Sequence, residues 1–248
     1  MIYYRYFSVY PMNLLYSSVA VVVLVLLGYV VFSYLRMQGL IREGQILVRS
    51  SVPYQKIVSG ATTRVLFVGD STGVGVGATR PEDALAGRTA QDHPNWTIEN
   101  LSVSGRKTAE LIPVLTELGG QYDRVILQIG GNDITYFSDT DQLASDIALV
   151  LAEAKRLSAH VMLLTSGNVG NAPILPRPLA FLWHRRTLQV RDIFMRASGE
   201  AGVTYVDLYR EKRSDPFFLE PYRYHAIDLF HPSSEGYGLW YEELKKSL

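Results

Sequence analysis

The stretch VLFVGDSTGVGVGA, residues 65–78, decides the fold of this chain. A short apolar run ends in Gly69-Asp70-Ser71, and glycine then recurs at positions 73, 75 and 77. The apolar run predicts a buried strand, and the glycines predict a tight turn that follows it. A turn of this kind either cradles a phosphate or presents a nucleophile, and the two alternatives need different residues elsewhere in the chain.

From Arg64 onward, apolar runs alternate with segments of helical spacing. After the strand at 65–69, the pattern predicts strands at 96–103, 124–130, 160–166 and 203–208, and helices at 81–91, 108–118, 139–157, 179–198 and 233–248. This alternation predicts an α/β fold, with a parallel sheet of about five strands and helices on both of its faces. Because ligands bind beyond the carboxyl ends of such strands, candidate functional residues are sought there.

Residues 14–35 form an uncharged apolar run of 22 residues. A helix of that length spans roughly 33 Å, which is enough to cross the hydrocarbon core of a bilayer. We expect a tail at 1–13, a transmembrane helix at 14–35, a juxtamembrane linker at 36–62 and one domain at 63–248. A cleaved signal peptide is the alternative, but its apolar region should be shorter and should end in small residues rather than at Arg36.

The side of the membrane stays open. The segment after the apolar run carries four positive residues and the short N-terminal tail carries Arg5, so the charge bias favours a cytoplasmic domain. The bias is small, and long domains translocate regardless of it.

Composition excludes several classes of site. The 248 residues include no cysteine, which removes disulfides, thiolate metal sites and a cysteine nucleophile. Lys plus Arg and Asp plus Glu both number 24, so the net charge is zero. A nucleic-acid partner is therefore not expected, because such partners need a basic surface. Composition gives no oligomeric state.

The phosphate alternative rests on residues 73–78, which fit the pattern G-x-G-x-x-A, with Glu99 as a later candidate for a ribose contact. A dinucleotide turn places its first glycine at the strand end, whereas the glycine series that begins at Gly73 follows three further polar residues, Asp70, Ser71 and Thr72. The Gly-Lys-Ser or Gly-Lys-Thr of a Walker loop is absent. The pattern therefore disfavours nucleotide binding.

The nucleophile alternative needs a base and an orienting acid for Ser71. Residues 228–233 read DLFHPS, and Asp228 and His231 lie three apart in a predicted loop. At that spacing a carboxylate can hold one imidazole nitrogen while the other faces the serine. Taken singly, each residue has an ordinary structural explanation, such as a helix cap, a turn or packing. The other histidines are expected to be surface or packing residues: His93, His160, His184 and His225.

Four ordered blocks of this sequence resemble those of the SGNH, or GDSL, hydrolases. The blocks are Gly69-Asp70-Ser71, Gly105, Gly130-Gly131-Asn132-Asp133 and Asp228-Leu229-Phe230-His231. The resemblance covers about residues 64–248 and extends to esterases of lysophospholipase and acyl-thioesterase type. It implies a flavodoxin-like three-layer α/β/α fold and the hydrolysis of esters, sometimes thioesters, or acyl transfer. Thr72 departs from the family pattern, in which leucine is frequent.

The resemblance also implies a role for each matched residue. Ser71 would attack the carbonyl, His231 would take its proton, and Asp228 would fix the imidazole. The oxyanion would lie between the backbone N–H groups of Ser71 and Gly105 and the side-chain amide of Asn132, with glycine at 105 leaving its N–H open to close approach. No metal and no organic cofactor is implied.

These roles predict a serine hydrolase that cleaves lipid, lysophospholipid, acetyl or other acyl esters through an acyl-enzyme. Two alternatives remain: an O-acyltransferase that uses the same triad, and a catalytically silent, membrane-tethered binding module. The aspartates of the first and third blocks, Asp70 and Asp133, are interpreted as structural, holding their loops through bonds to backbone N–H groups.

A substrate-contacting segment is expected at 167–186, which is rich in Gly, Asn and Pro before it becomes apolar and basic. Phe181 and Trp183 are candidates for contact with the substrate or lipid, and Arg185 and Arg186 for contact with headgroups. An ordinary loop followed by a core-packing helix is the alternative.

Overall fold

The computed structural model describes residues 10–248, which fall into two compact units divided between Gly39 and Leu40. The first unit is helical. Helix α1 runs from Tyr10 to Ser50, and its apolar side chains from Tyr16 to Leu35 are mostly exposed. From Tyr16 onward the helix is long and apolar enough to cross a membrane, a property that it shares with signal sequences.

The second unit contains five strands, with helices between and after them. The strands are β1 Thr63–Gly69, β2 Trp96–Asn100, β3 Arg124–Gln128, β4 Val161–Leu164 and β5 Thr204–Val206. The helices after α1 are α2 Ser71–Val74, α3 Leu85–Asp92, α4 Leu111–Glu117, α5 Gly131–Thr135, α6 Thr140–Leu157, α7 Ala180–Ala201, α8 Pro216–Leu219, α9 Pro221–Tyr224 and α10 Ser234–Leu244.

All neighbouring strands are parallel, in the order β2-β1-β3-β4-β5. Val65 of β1 pairs with Ile98 of β2 on one side and with Arg124 of β3 on the other. This is the flavodoxin-like order, in which the chain moves outward to β2 and then returns to the far side of β1. The reversal opens a crevice beyond the carboxyl ends of β1 and β3.

Two apolar clusters cover the two faces of the sheet. Leu66 and Val68 of β1 pack with α4, α6 and α7, whereas Val65 and Phe67 pack with α3 and α10. Because β1 is buried on both faces, its sequence is a continuous apolar run. The predicted three-layer α/β/α architecture with five parallel strands is confirmed.

The first part of the segment predicted as a linker, residues 36–62, is helical. Helix α1 continues through it to Ser50, three residues before Pro53, which cannot continue a helix. Further on, Lys56 pairs antiparallel with Ile98 of β2 through N–O distances of 2.9 and 2.8 Å. Leu40 and Leu47 lie at helical spacing in this part of α1 and are partly buried. Of the predicted tail, residues 1–9 lie outside the described part.

Candidate active site

The nucleophile turn joins β1 to the four-residue helix α2. Asp70 caps this helix, and its Oδ1 accepts hydrogen bonds from the Thr72 N–H at 2.8 Å and the Thr72 hydroxyl at 2.7 Å. Thr72, the departure from the family pattern, therefore adds a bond that steadies the turn. Ser71 occupies the first helical position, where a backbone N–H has no acceptor within the helix.

The histidine loop is held by the Asp228 carboxylate. Its Oδ1 accepts hydrogen bonds from the N–H groups of Phe230 at 3.1 Å and His231 at 3.0 Å. Its Oδ2 lies 2.6 Å from His231 Nδ1. Leu229 adopts a left-handed φ of 55°, a conformation that a leucine rarely takes and that tightens this turn. The one carboxylate thus shapes the loop and orients the imidazole.

The environment of Asp228 favours its ionised form. Burial acts to raise the pKa of this carboxyl, but the hydrogen bonds from His231 and from two backbone N–H groups outweigh it and lower the pKa. An ionised carboxylate only accepts, so Nδ1 of His231 carries a proton and Nε2 is free to accept one.

The two loops meet at the serine. His231 Nε2 lies 2.9 Å from Ser71 Oγ, although the residues are 160 positions apart in the chain. Together with the contact to Asp228, this forms an unbroken row of carboxylate, imidazole and hydroxyl. The row has the geometry of a serine-nucleophile triad.

The glycines after Ser71 make this meeting possible. A Cβ on Gly77 would lie 2.4 Å from the carbonyl oxygen of Pro232 and 3.1 Å from Cβ of His231. A Cβ on Gly73 would lie 2.3 Å from Ser102 Oγ. Gly77 therefore lets the nucleophile turn pass directly against the histidine loop, Gly73 lets it pass against the loop that follows β2, and the turn presents a serine.

Asn132 lies at the start of α5, after the end of strand β3. Its Nδ2 donates to the carbonyl oxygen of Arg106 at 2.9 Å, which leaves the second N–H of the amide available. Asn132 and Ser71 line the same pocket.

Gly105 lies on the loop that follows β2, next to the residue that Asn132 holds. Its φ is 90°, and a Cβ placed on it would meet no atom within 4 Å. This left-handed backbone conformation by itself favours glycine at position 105. Its role as an oxyanion donor stays a prediction.

The two structural aspartates behave as the sequence indicates. Asp70 caps α2, and Asp133 accepts bonds from the Thr108 N–H at 3.0 Å and from Ser138 Oγ at 2.8 Å. Burial raises the pKa of Asp70, against the opposing effect of its bonds from Thr72.

A pocket extends from Ser71, Asn132 and His231. Its wall is largely apolar and includes Val169, Ala172, Leu208, Phe217, Phe230 and Trp240. Sequence reasoning missed most of these residues because they come from separate loops and helices and carry no common motif. His225, which was expected at the surface or in packing, is buried and packs edge-on against Phe217 at 5.1 Å, and it also lines the pocket.

The first part of the segment expected to contact substrate lines this pocket, at Gly167, Asn168, Val169 and Ala172, whereas the two named candidates Phe181 and Trp183 are not among the lining residues. Phe181 is 53% exposed at the start of α7. Trp183 packs edge-on against Phe137 at 5.6 Å and donates its indole N–H to Thr135 O at 3.4 Å. Arg186 is buried and donates to Ser138 O, so it cannot meet lipid headgroups. Substrate contact by Phe181 and Trp183 stays a prediction.

Residues 67–239 match the model of the GDSL-like Lipase/Acylhydrolase family. The chain belongs to this family. A GDSL-like esterase of Mycobacterium tuberculosis is 24% identical over 186 residues, which are 71% of this chain and 58% of that relative. The chain thus spans a little over half the length of this curated relative.

Several solved structures have a similar fold. TesA superimposes with a TM-score of 0.55 and 22% identity over 75% of this chain and 97% of TesA. A lipolytic protein of the G-D-S-L family from Veillonella parvula gives 0.58 and 15% identity over 74% and 96%. Axe2, an acetylxylan esterase from Geobacillus stearothermophilus, gives 0.52 and 18% identity over 75% and 94%. These similarities establish the fold.

Replacing Gly77 with alanine tests the contact between the two loops. Gly77→Ala should slow labelling of Ser71 by a serine-directed fluorophosphonate by on the order of 10²-fold, because the added methyl displaces Pro232 and His231. Gly120→Ala is the matched control, since Gly120 has a similar φ of 85° but no atom within 4 Å of a Cβ. Equal labelling rates in the two variants would contradict this account of the turn.

His225 should make stability depend on pH. Burial lowers its pKa to about 4, against a hydrogen bond from Nδ1 to Pro221 O at 3.1 Å. As pH falls below ~6.5, His225 takes up a proton in the unfolded chain, whereas in the folded chain it stays neutral until pH approaches its lowered pKa. The free energy of unfolding should therefore fall by about 3 kcal/mol from this residue as pH drops across that window.

The measurement is the free energy of unfolding between pH 7 and pH 4 for the native chain and for His225→Gln. The variant should lose less stability over this range. Parallel pH curves for the two chains would show that His225 is not a buried neutral imidazole.

Proposed function

We propose that this chain is a serine hydrolase that cleaves carboxylic esters through Ser71, His231 and Asp228. The observation that carries the proposal is the 2.9 Å separation of His231 Nε2 and Ser71 Oγ, in a row with the 2.6 Å contact between Nδ1 and Asp228. Membership of a lipase and acylhydrolase family supports the same chemistry.

The reaction follows from the roles of these three groups. Ser71 Oγ attacks the ester carbonyl carbon as His231 Nε2 takes the hydroxyl proton, and Asp228 stabilises the imidazolium that forms. Collapse of the tetrahedral intermediate expels the alcohol, which receives that proton, and leaves an acyl group on Ser71. Water then attacks the acyl-enzyme by the same steps and releases the acid.

The developing oxyanion requires donors that are already in position. The candidates are the Ser71 N–H at the start of α2, the second amide N–H of Asn132 and the Gly105 N–H. Loss of one such donor generally costs about 2.7–4 kcal/mol of transition-state stabilisation.

The pocket favours an ester with an apolar portion. Its aromatic and aliphatic wall, which includes Phe217, Trp240 and Leu208, can bury an acyl chain and remove apolar surface from water. Lipid, lysophospholipid and shorter acyl esters all meet this requirement. Axe2 is an acetylxylan esterase, so the fold also accommodates acetyl esters of sugars.

Ser71 is tested with a panel of esters of graded acyl length, on the full chain in detergent. Ser71→Ala should lower kcat by about 10⁴ or more, because the members of a triad act as a unit. Near-normal turnover in this variant would remove Ser71 from the mechanism.

Absence of both turnover and fluorophosphonate labelling in the native chain would favour a silent binding module. Addition of an alcohol acceptor identifies acyl transfer if an ester product replaces the acid.

We propose further that α1 anchors the chain in a membrane as a single span. Its apolar residues between Tyr16 and Leu35 are mostly exposed, and charges are absent from that stretch. Transfer of so much apolar surface from water into lipid is favourable.

Two lysines at the centre of the span test this anchor. Val23→Lys together with Leu26→Lys should release the chain from alkali-washed membranes, since each central charge costs about 2.5–3.5 kcal/mol. Ile57→Lys, at a position 86% exposed beyond the helix, should leave the chain bound. If intact mass spectrometry shows that the native protein begins after residue 35, the helix is a cleaved signal sequence instead.

A further inference from the structure

The last three turns of α1 belong to the same compact unit as the triad, which begins at Leu40. One face of these turns is partly buried, at Leu40, Gly44 and Leu47, whereas Ile46 is 57% exposed. The partly buried positions recur every three or four residues, as expected of a helix that packs along one side.

Gly44 lies at the centre of this face, directly against the catalytic carboxylate. A Cβ placed on Gly44 would lie 3.1 Å from Oδ2 of Asp228, 3.6 Å from its Cβ and 3.8 Å from its Cγ. Oδ2 is the oxygen that faces His231 Nδ1 at 2.6 Å. Asp228 itself is only 1% exposed.

Helix propensity does not explain a glycine at position 44. Glycine is among the least favourable residues in a helix interior, and one within a helix commonly marks a close packing contact. The Asp228 carboxylate provides that contact, because any side chain at position 44 would point at it. Gly39, one and a half turns earlier in α1, has no atom within 4 Å of a Cβ.

We propose that Gly44 is a positioning residue, which lets α1 pack against Asp228 and so holds Oδ2 in place for His231. The inference rests on the proposed function, in which Asp228 orients the catalytic imidazole. Oδ1 is fixed by two backbone N–H groups. The helix backbone at Gly44 closes the outer side of Oδ2 and excludes water, which strengthens the bond to Nδ1 in a medium of low dielectric constant.

The test compares Gly44→Val with Gly39→Val in the full chain in detergent. Gly44→Val should lower kcat by on the order of 10²-fold with KM nearly unchanged, because it displaces a group that acts through His231. Gly44→Ala should give only a few-fold loss, since the single methyl needs a small shift of Oδ2. Gly39→Val makes the same residue exchange in the same helix, and therefore a similar change in helix propensity, but it should retain the native kcat. Equal losses in the two valine variants would overturn the proposal.

A double-mutant cycle separates positioning from a general loss of structure. In the Asp228→Ala chain, Gly44→Val should cost little further kcat and little further Tm, because its partner is absent. Losses in kcat and Tm that are the same in both backgrounds would show that Gly44 does not act through Asp228.

The cycle also distinguishes this proposal from the proposed function. A native chain that cleaves no ester would overturn the function, and the Tm cycle would still decide the contact: coupling supports it and additivity overturns it. If the activity of the native chain depends on Ser71 but Gly44→Val and Gly39→Val have the same kcat, only the positioning role is overturned.

Discussion

The site depends on a close approach of two backbone segments that are far apart in sequence. The loop after Ser71 and the loop around His231 touch at Gly77, where the carbonyl oxygen of Pro232 leaves no room for a side chain. The buried hydroxyl of Tyr237 donates to Val76 O at 2.8 Å and ties the nucleophile loop to α10. The packing of these backbones therefore holds Ser71 Oγ and His231 Nε2 within 2.9 Å of each other.

The order of the strands explains why this approach occurs beside β1. Because β2 and β3 lie on opposite sides of β1, the turn after Gly69 opens into the crevice where the chain reverses. The crevice also receives Asn132 from the end of β3. A buried carboxylate, an imidazole and an amide can be gathered there because their hydrogen bonds compensate for their removal from water. The carboxylate and the amide bond to backbone groups, and the imidazole bonds to the Asp228 and Ser71 side chains.

The sequence predicted the sheet well, and it predicted the surroundings of Ser71 and His231 poorly. Strands such as β1 are apolar on both faces, and the blocks around Ser71 and His231 carry their own chemistry, so local patterns suffice. Helices α2, α5, α8 and α9 have four or five residues, too few to show a periodicity. The pocket wall, the burial of Arg186 and the contact of Gly44 with Asp228 depend on tertiary packing, which no local pattern records.

The pairing of Lys56 with Ile98 has a practical consequence for the handling of this protein. Strand β2 lies at one end of the sheet, and the segment around Lys56 covers part of its outer rim, with Val58 N–H donating to Thr97 Oγ1 at 3.0 Å. A recombinant fragment cut at residue 63 would bare these amide and carbonyl groups and invite strand-to-strand aggregation. A fragment that starts before residue 40 would keep the segment around Lys56, which covers these groups.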